Sequence, residues 1–418
     1  MKVLFIHIYY TNAITSGASA IVFSLWNFLK NNGHEPYIFA TDEKPYIDDN
    51  YPYTKYFPKG ISNLDKNTIS GYFKRLFIKV YNKEAKKNIE KMLDEIKPDI
   101  VHIHSVWELS YSIIKPITER NIPIIYTAHD VSYCCPAISF IGKKRCNKCK
   151  GHNTLPCLFN KCIKNNFIFS LYFAFKSFVD RILFPINIAK CITVPSQATK
   201  DVLVKFNIPE EKIIVVENCI NSKEYENEMN LTNKGYFLYA GGIMQPKGIF
   251  TLLEAIKDLP RDIEFHILGH AGSDALKEKF TNYCNEHNLY NVKYLGAVDK
   301  KTLREEYKNC ISVIMPSEWF ETFGMITIEA ATFGKPSIGA NIGGIPYVID
   351  ENKTGLLFES GNSEALKNCI LKYWEDTDLV KLHGENAYKK ANEKYSEEIF
   401  YNKMIKIYEK VYSDSVKS

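Results

Sequence analysis

The sequence lacks an apolar run long enough to cross a membrane. A spanning helix needs roughly 18–20 consecutive apolar residues, and the longest candidate, at 166–175, stops at Lys176. The first ten residues, MKVLFIHIYY, contain one lysine, an apolar run broken by His7 and no small-residue cleavage site. A signal peptide has a different pattern. These absences predict a cytoplasmic protein without a spanning helix.

Several motifs of other protein classes are also missing. Neither half of the chain has Gly-x-Gly-x-x-Gly after a first strand, which argues against a dinucleotide-dependent dehydrogenase. No recognised nucleic-acid-binding module is present, so no nucleic-acid partner is expected. The one Asp-x-Asp sequence, Asp376-Thr-Asp378, lies outside any strand-to-turn context. We therefore interpret this Asp-x-Asp as incidental.

Acidic residues are almost absent from one window of the chain. Residues 141–190 contain ten Lys or Arg and a single acid, Asp180, which makes the window +9. The whole chain is +5, so the remainder is −4. A charge excess confined to one segment predicts a specialised surface rather than a generally basic protein.

Cysteine is plentiful, but the eleven cysteines are an odd number and argue against a complete disulfide set. Six of them fall between 134 and 162. A Cys-x2-Cys spacing followed by two further cysteines predicts a structural zinc site, whose ligands would be Cys146, Cys149, Cys157 and Cys162. Other candidate ligands are His152, Cys134 and Cys135. Free thiols or an adventitious disulfide are the alternatives to zinc.

Short β-branched runs alternate with amphipathic stretches along the whole chain, which is typical of parallel α/β sheets. The predicted strands are 2–8, 36–40, 99–104, 123–128, 191–195 and 212–218, and then 235–242, 264–269, 292–296, 311–316 and 336–340. The predicted helices are 18–32, 74–96, 196–206, 248–258, 274–287, 301–308, 324–333 and 397–412. The polar stretch 221–234 is the predicted linker.

The pattern therefore predicts two doubly wound domains facing each other across a cleft. The first spans 1–222, with a cysteine-rich basic insertion at about 131–165, and the second spans 223–396. Ligands of such sheets bind beyond the carboxyl ends of the strands.

Two strand-to-helix turns of the second half carry candidate anion sites. Lys247 stands at the start of a predicted helix, where a point charge adds to free N–H groups. Gly324 starts the helix that follows the stretch PSEWFETFGMITIEAATFGKPS (316–337).

Two acids flank the second turn. Glu321 precedes the helix, and Glu329 lies within it among apolar residues. A carboxylate in that position needs a partner, and ribose hydroxyls would suit it. The alternative is that Glu321 caps the helix and Glu329 lies exposed at its edge.

The spacing of these acids, EtfgmitiE, closely resembles the E-x7-E element of the family 4 retaining glycosyltransferases, which have the GT-B fold. Further stretches resemble family landmarks in the same order, over essentially the whole chain. They are TSGASAIVFSLWNFLKNNGHE (15–35), YTAHD (126–130), YAGGIMQPKG (239–248), FHILG (265–269), YLGAV (294–298) and GGIPYVIDENKTGLLF (343–358).

The resemblance implies a GT-B fold of two Rossmann-like domains, with a C-terminal helix (397–418) that crosses back to the first domain. It implies transfer of a sugar from a nucleotide-diphosphate donor to a saccharide or lipid-linked saccharide, with retention and without a metal or other cofactor. The implied catalytic residues are Glu321, His129 and Lys247. The implied donor-binding residues are Gly17, Gly242, Lys247, Gly269, Val298, Phe323, Gly324, Met325 and Glu329.

Four positions depart from the family pattern. Gly242 stands where an arginine is common, and Ser16-Gly17 replaces a glycine pair. Asn218-Cys219 and Tyr347 replace an Asn-Gly step and a glutamate. The departures affect expected donor contacts rather than the three catalytic positions. A non-catalytic nucleotide-sugar or saccharide binding protein on the same fold is the alternative function.

The segment 167–185 mixes large apolar residues with few charges and predicts a helix. One interpretation is a buried helix. The other, favoured by the basic window around it, is contact with an anionic membrane or a lipid diphosphate. In that case the acceptor would be a polyprenyl-diphosphate-linked saccharide at the inner membrane face. The Lys-, Asn-, Ile- and Tyr-rich composition suggests a bacterium with an AT-rich genome, and hence capsule or O-antigen biosynthesis.

Overall fold

A computed structural model of the chain describes residues 1–11, 17–60, 78, 81–136, 146, 148–149, 153–163, 165–183, 185–220 and 228–417. Within these residues the chain forms two six-stranded parallel sheets flanked by helices. This confirms the predicted α/β fold of two doubly wound domains. The predicted boundary at 222/223 and Ser16 lie outside the described residues.

The first sheet is built from the amino-terminal half. Its strands are Lys2–Ile6 (β1), Glu35–Phe39 (β2), Ile100–Ile103 (β3), Ile124–Thr127 (β4), Cys191–Val194 (β5) and Ile213–Val215 (β6). They lie in the order β2-β1-β3-β4-β5-β6, all parallel. The accompanying helices are Gly17–Asn31 (α1), Lys83–Ile96 (α2), Ile114–Glu119 (α3), Leu155–Phe159 (α4), Phe167–Leu183 (α5), Pro185–Ile188 (α6) and Gln197–Lys205 (α7).

The second sheet is built from the carboxyl-terminal half. Its strands are Tyr236–Ala240 (β7), Glu264–Leu268 (β8), Val292–Gly296 (β9), Val313–Met315 (β10), Ser337–Ala340 (β11) and Gly355–Phe358 (β12). They lie in the order β12-β11-β10-β7-β8-β9, all parallel. The helices are Ile249–Lys257 (α8), Asp274–Glu286 (α9), Lys300–Asn309 (α10), Met325–Thr332 (α11), Ile345–Val348 (α12), Ser363–Glu375 (α13), Thr377–Lys394 (α14) and Glu397–Lys417 (α15).

Helices cover both faces of each sheet, so the central strands read as continuous apolar runs rather than alternating ones. Strands β3, β4, β5 and β11 are buried at every residue. The last helix, α15, packs against the first sheet through residues that join the core around Val3 and Phe5. In that interface the Tyr408 hydroxyl and His102 Nδ1 are 2.7 Å apart.

Most predicted elements are confirmed to within a few residues. The sequence patterns predict neither β12 nor the helices α3, α4, α6, α12, α13 and α14. The stretch 343–358, which contains β12, was matched only to a glycine loop of the family. Yet a Cβ at Gly355 would lie 2.3 Å from the Ser337 carbonyl oxygen, so this glycine permits the strand pairing.

The interpretation of the predicted helix at 167–185 as buried is wrong. Helix α5 forms there, but its buried residues are small or charged, namely Ser170, Ala174, Lys176, Ser177 and Arg181. Many of its large apolar side chains are exposed. Within the described residues, no helix is long and apolar enough to span a bilayer.

Candidate functional site

A cavity of about 260 Å³ lies between the two sheets. The second half contributes the loops that follow β7 and β10, including Gly241, Lys247, Ser317, Glu321, Gly324 and Met325. The first half contributes Gly17, Ala18, His129 and Asn218. Strands β7 and β10 are adjacent although they are far apart in sequence, and this change of winding direction opens a crevice at their carboxyl ends. The cavity occupies that crevice.

The two helices that begin at the cavity start without a side-chain cap. Six other helices (α2, α7, α9, α10, α13 and α14) begin with an Asn, Ser or Asp side chain that accepts a backbone N–H bond. Helices α8 and α11 begin instead at Gly248 and Gly324, with no side-chain cap. An uncapped helix start leaves N–H groups and the positive end of the dipole to an external anion.

Lys247 lies in the short 3-10 turn Gln245–Lys247 that leads into α8. The next residue, Gly248, has φ 72°, and a Cβ there would lie 1.7 Å from the Pro316 carbonyl oxygen. Only glycine allows this approach between the two loops. The contact places Lys247 beside the segment that follows β10.

Glu321 is the centre of a hydrogen-bond cluster. Its Oε1 accepts from Lys247 Nζ at 2.5 Å, from Trp319 Nε1 at 2.6 Å and from Ser317 Oγ at 3.0 Å. The Lys247 ammonium also lies 4.8 Å from the centroid of the Trp319 ring. Glu321 therefore does not cap α11, and the alternative interpretation of this residue is wrong.

The sequence analysis did not identify Ser317 and Trp319 as partners of Glu321, although both lie within four residues of it. Glu318, in the same segment, has a separate role. Its Oε1 accepts from Thr251 Oγ1 at 2.6 Å, which ties the segment to α8. Two acids three residues apart thus have different partners, and of the two only Glu321 lines the cavity.

Gly324 adopts φ 117°, which favours glycine, and starts α11. Its flanking residues Phe323 and Met325 also line the cavity. The two glycines that follow β11 support this turn from behind. A Cβ at Gly343 would lie 2.2 Å from the Glu321 carbonyl oxygen, and one at Gly344 2.4 Å from that of Thr322.

Glu329 lies on the second turn of α11 and is half-buried rather than exposed. Its Oε2 accepts from the Tyr307 hydroxyl at 2.8 Å. Burial raises the pKa of Glu329, and the Tyr307 hydrogen bond opposes this shift. The carboxylate is not among the residues that line the cavity.

Three other predicted donor-binding residues also lie outside the cavity lining: Gly242, Gly269 and Val298. Gly269 has φ 129°, and a Cβ there would lie 2.1 Å from the carbonyl oxygen of Gly241, a lining residue. Val298 packs beside the cluster that contains Leu238 and Leu268. The structure thus places Gly269 directly behind the wall and Val298 in a hydrophobic cluster.

His129 follows β4 and joins the two halves at the cavity. The Thr322 hydroxyl donates to the His129 carbonyl oxygen at 2.9 Å, and Ser196 Oγ donates to the Thr322 carbonyl oxygen at 2.6 Å. Gly17 faces the second half too, since a Cβ there would contact Met325 at 3.4 Å. The Glu321–Met325 segment therefore packs against the first domain.

The His129 ring is held from below by a second histidine. His104 Nδ1 and His129 Nε2 are 2.9 Å apart, so one of these nitrogens carries a proton and donates it in a hydrogen bond to the other. Burial lowers the pKa of His129 to about 4. At neutral pH the ring is uncharged, and it can contribute hydrogen bonds to the cavity but not a positive charge.

Three buried histidines, His7, His102 and His104, together with the half-buried His129, should make the protein acid-sensitive. Burial lowers the pKa of each below its usual value near 6.5, to about 3 for His7 and His102. Below pH 6.5 the unfolded chain binds more protons than the folded one. Each group then contributes up to about 1.4 kcal/mol of lost stability per pH unit. We expect the thermal unfolding temperature to decrease as the pH is lowered from 7 to 5. An unfolding temperature that stays constant over this range would contradict the prediction.

The cysteine block does not form a preassembled metal site. All eleven cysteines are free thiols. Across the described part of the chain, no three His, Cys, Asp or Glu side chains are grouped closely enough to hold a metal. Burial and the neighbouring Cys162 and Cys149 raise the pKa of Cys157 to about 12, as expected for a protonated thiol. His152 and the residues adjoining Cys146 lie outside the described residues.

Two family models match adjacent parts of the chain. The one described as Glycosyltransferase Family 4 matches residues 15–224, half of the chain, and the one described as Glycosyl transferases group 1 matches residues 221–390. The junction between the matches coincides with the gap between β6 and β7.

Two curated proteins and one solved structure illustrate the similarity. An uncharacterised glycosyltransferase of Methanocaldococcus jannaschii is 29% identical over 48% of this chain and 55% of its own length. The O-antigen chain mannosyltransferase C of Escherichia coli is 21% identical over 54% of this chain and 58% of its own length. The chain thus spans little more than half the length of these relatives.

The solved structure is HepE of Anabaena in complex with UDP-glucose. It has a TM-score of 0.65 to this chain at 16% identity, covering 97% of this chain and 99% of that one. At this identity the similarity concerns the fold.

Proposed function

This chain belongs to the family 4, group 1 glycosyltransferases of GT-B fold, and from that premise we propose that it is a retaining, metal-independent sugar transferase. The donor is a nucleotide-diphosphate sugar. The acceptor is a saccharide or a polyprenyl-diphosphate-linked saccharide, in the biosynthesis of a bacterial surface polysaccharide. The Anabaena neighbour solved with UDP-glucose supports the donor class, and the Escherichia coli O-antigen relative supports the pathway.

The observation that carries the proposal is the pairing of Lys247 with Glu321 beside the uncapped start of α11. A diphosphate has the charge and the oxygen atoms that this lysine and these N–H groups would bind. As the bond from the sugar to the diphosphate breaks, negative charge develops on the leaving oxygen. A fixed ammonium and fixed N–H groups stabilise that charge without reorganisation.

Glu321 and His129 would then hold the donor sugar. The second Glu321 oxygen, Oε2, is the acceptor left for sugar hydroxyls, since Oε1 already receives three donors. His129 lies across the cavity on the first domain and is neutral at physiological pH. The contacts of Thr322 with His129 and Ser196 join the domains around this arrangement.

A donor panel tests the proposal. The purified protein is incubated with UDP-, GDP- and ADP-sugars and a simple acceptor glycoside, and release of nucleoside diphosphate is measured. We expect turnover with one class of donor, and a product whose anomeric configuration matches the donor by NMR. Absence of both turnover and nucleotide binding would contradict the proposal, and an inverted product would contradict retention.

Glu329 is expected to contribute to nucleotide binding through ribose hydroxyls. Glu329→Ala removes a charged acceptor, and a hydrogen bond to a charged group is worth about 1.5–3 kcal/mol. We expect nucleoside diphosphate affinity to fall roughly 10- to 150-fold in calorimetry. Because burial raises the pKa of Glu329, wild-type affinity should decrease on acidification at a higher pH than for an ordinary glutamate.

Glu305→Gln is the matched control for Glu329, because Glu305 is an exposed glutamate on the neighbouring helix α10. It should leave nucleotide affinity unchanged. If Glu329→Ala also binds like the wild type, Glu329 has a structural role through Tyr307.

A structural zinc at Cys146, Cys149, Cys157 and Cys162 completes the proposal. Metal analysis of protein purified without chelators tests the zinc site, and less than half an equivalent would count against it. The chemistry above uses no metal, so the zinc would support the fold of the insertion only.

A further inference from the structure

Large apolar side chains lie exposed on one part of the first domain. Twenty-one large hydrophobic residues of the described chain are exposed, and eleven of them fall between 155 and 188. This segment is a small fraction of the chain, so the exposure is a local patch and not the scattered exposure that is normal for soluble proteins. Exposure reaches 74% at Phe159, 75% at Ile168 and 61% at Phe175.

The patch follows one stripe of α5. Ile168, Leu171, Phe175 and Ile182 recur at spacings of three, four and seven residues, which places them on one side of a helix. We define the α5 patch as this stripe together with the flanking exposed residues. The flanking residues are Leu155, Phe159, Phe167 and Leu183.

Helix α5 contacts the rest of the protein through its small and charged residues, whereas a core helix ordinarily does so through its large apolar residues. Arg181 is buried and donates to the carbonyl oxygens of Tyr133 at 3.2 Å and Cys134 at 2.8 Å. Lys176 is paired with Asp180 at 2.5 Å and lies 4.8 Å from the Trp107 ring centroid. These bonds orient the helix with the apolar stripe outward.

The charge around the patch is positive. Asp180 is the only acid between 131 and 190, and Lys176 neutralises it. Lys148, Lys161 and Lys190 are exposed in the same segment. An apolar stripe with basic residues around it matches the surface of a bilayer that contains anionic lipids.

A second copy of the chain fits this surface less well. A two-fold symmetric contact places the same patch of each copy against the other. It would bring the lysines of both copies together, and the one acid of the segment, Asp180, is already paired with Lys176. Charge complementarity therefore favours anionic lipid over self-association.

We infer that the α5 patch is a membrane-docking surface that inserts into the interface of an anionic bilayer. Helix α5 lies in the plane of the membrane, with Ile168, Leu171 and Phe175 toward the acyl chains. Because Arg181 is bonded to the chain four and five residues after His129, α5 is joined to the first-domain segment that contributes His129 to the cavity. If the proposed function holds, an acceptor anchored in the same bilayer reaches the cavity from the side of α5.

Vesicle flotation of the full chain tests the inference. Vesicles of phosphatidylcholine with 30% phosphatidylglycerol are compared with vesicles of phosphatidylcholine alone, at low and high salt. We expect binding to the anionic vesicles that decreases at high salt. The double variant Ile168→Glu/Phe175→Glu should lower the partition coefficient at least tenfold.

The double variant Tyr290→Glu/Val416→Glu is the matched control, since these side chains are 75% and 70% exposed outside the patch. It should bind like the wild type. Failure of the wild type to bind anionic vesicles, or an equal loss in both double variants, would overturn the inference. A wild-type dimer that Ile168→Glu/Phe175→Glu converts to a monomer, without vesicle binding, would assign the patch to self-association and also overturn it.

Activity separates this inference from the proposed function. Both double variants should turn over a soluble acceptor like the wild type, because none of the four residues lines the cavity. Vesicle binding without any turnover would leave the docking surface standing and refute the proposed function. Turnover without vesicle binding would refute the docking surface and leave the proposed function standing.

Discussion

Glu321→Gln is expected to lower the turnover number for sugar transfer by roughly 100- to 1000-fold, the cost of removing one preorganised electrostatic group. The variant keeps the shape of the side chain and loses its charge. Since Oε1 holds Lys247, Trp319 and Ser317 together, the substitution also disturbs the positions of those donors. Steady-state kinetics with saturating donor is the measurement.

Glu318→Gln is the matched control for this substitution. Glu318 lies three residues earlier in the same segment but is bonded to Thr251, and it does not line the cavity. We expect its turnover number to stay within a few-fold of the wild type. If the two variants lose turnover equally, the effect comes from the loop conformation and not from the Glu321 carboxylate.

Nucleotide binding distinguishes lost chemistry from lost binding in the Glu321 variant. The Lys247 ammonium is bonded to Glu321, and a diphosphate has to compete for it. Removing the carboxylate charge relieves that competition. Nucleoside diphosphate affinity of Glu321→Gln should therefore be no weaker than that of the wild type. A marked loss of affinity would contradict the assigned role of the carboxylate.

Lys247→Ala is expected to lower transfer roughly 10- to 150-fold. A hydrogen bond to a charged partner contributes about 1.5–3 kcal/mol, and each 1.4 kcal/mol is about tenfold in rate. The uncapped start of α11 still faces the diphosphate in this variant, so residual activity should remain. The measurement is kcat/KM for the donor, and unchanged kinetics would refute the phosphate-binding role.

Lys257→Ala controls for the loss of a lysine near the same helix. Lys257 is the last residue of α8, and Lys247 lies just before the first residue of the same helix. The Lys257 ammonium is paired with Glu254 at the surface. Its kinetics should match those of the wild type. The double variant Lys247→Ala/Glu321→Gln should lose less than the product of the single effects, because the two side chains are in direct contact.

Much of the fold follows from local patterns. The strand β9 was predicted at its observed bounds, and β8 and α9 to within one residue. Runs of apolar residues and the turns between them are encoded over a few neighbouring positions, so they can be recognised without tertiary information. Strand β12 was not predicted, and its pairing with β11 depends on the close approach of Gly355 to Ser337, which lies far from it in sequence.

The sequence by itself determined the two doubly wound domains and the spacing of Glu321 and Glu329 around the start of α11. These depend on short-range periodicity and on one turn. Only the tertiary structure decided that Lys247 pairs with Glu321, 74 residues away, and that His104 holds His129. It also decided that the apolar stripe of α5 faces outward. Such contacts depend on how distant segments pack, and periodicity gives the faces of a helix but not which face meets the core.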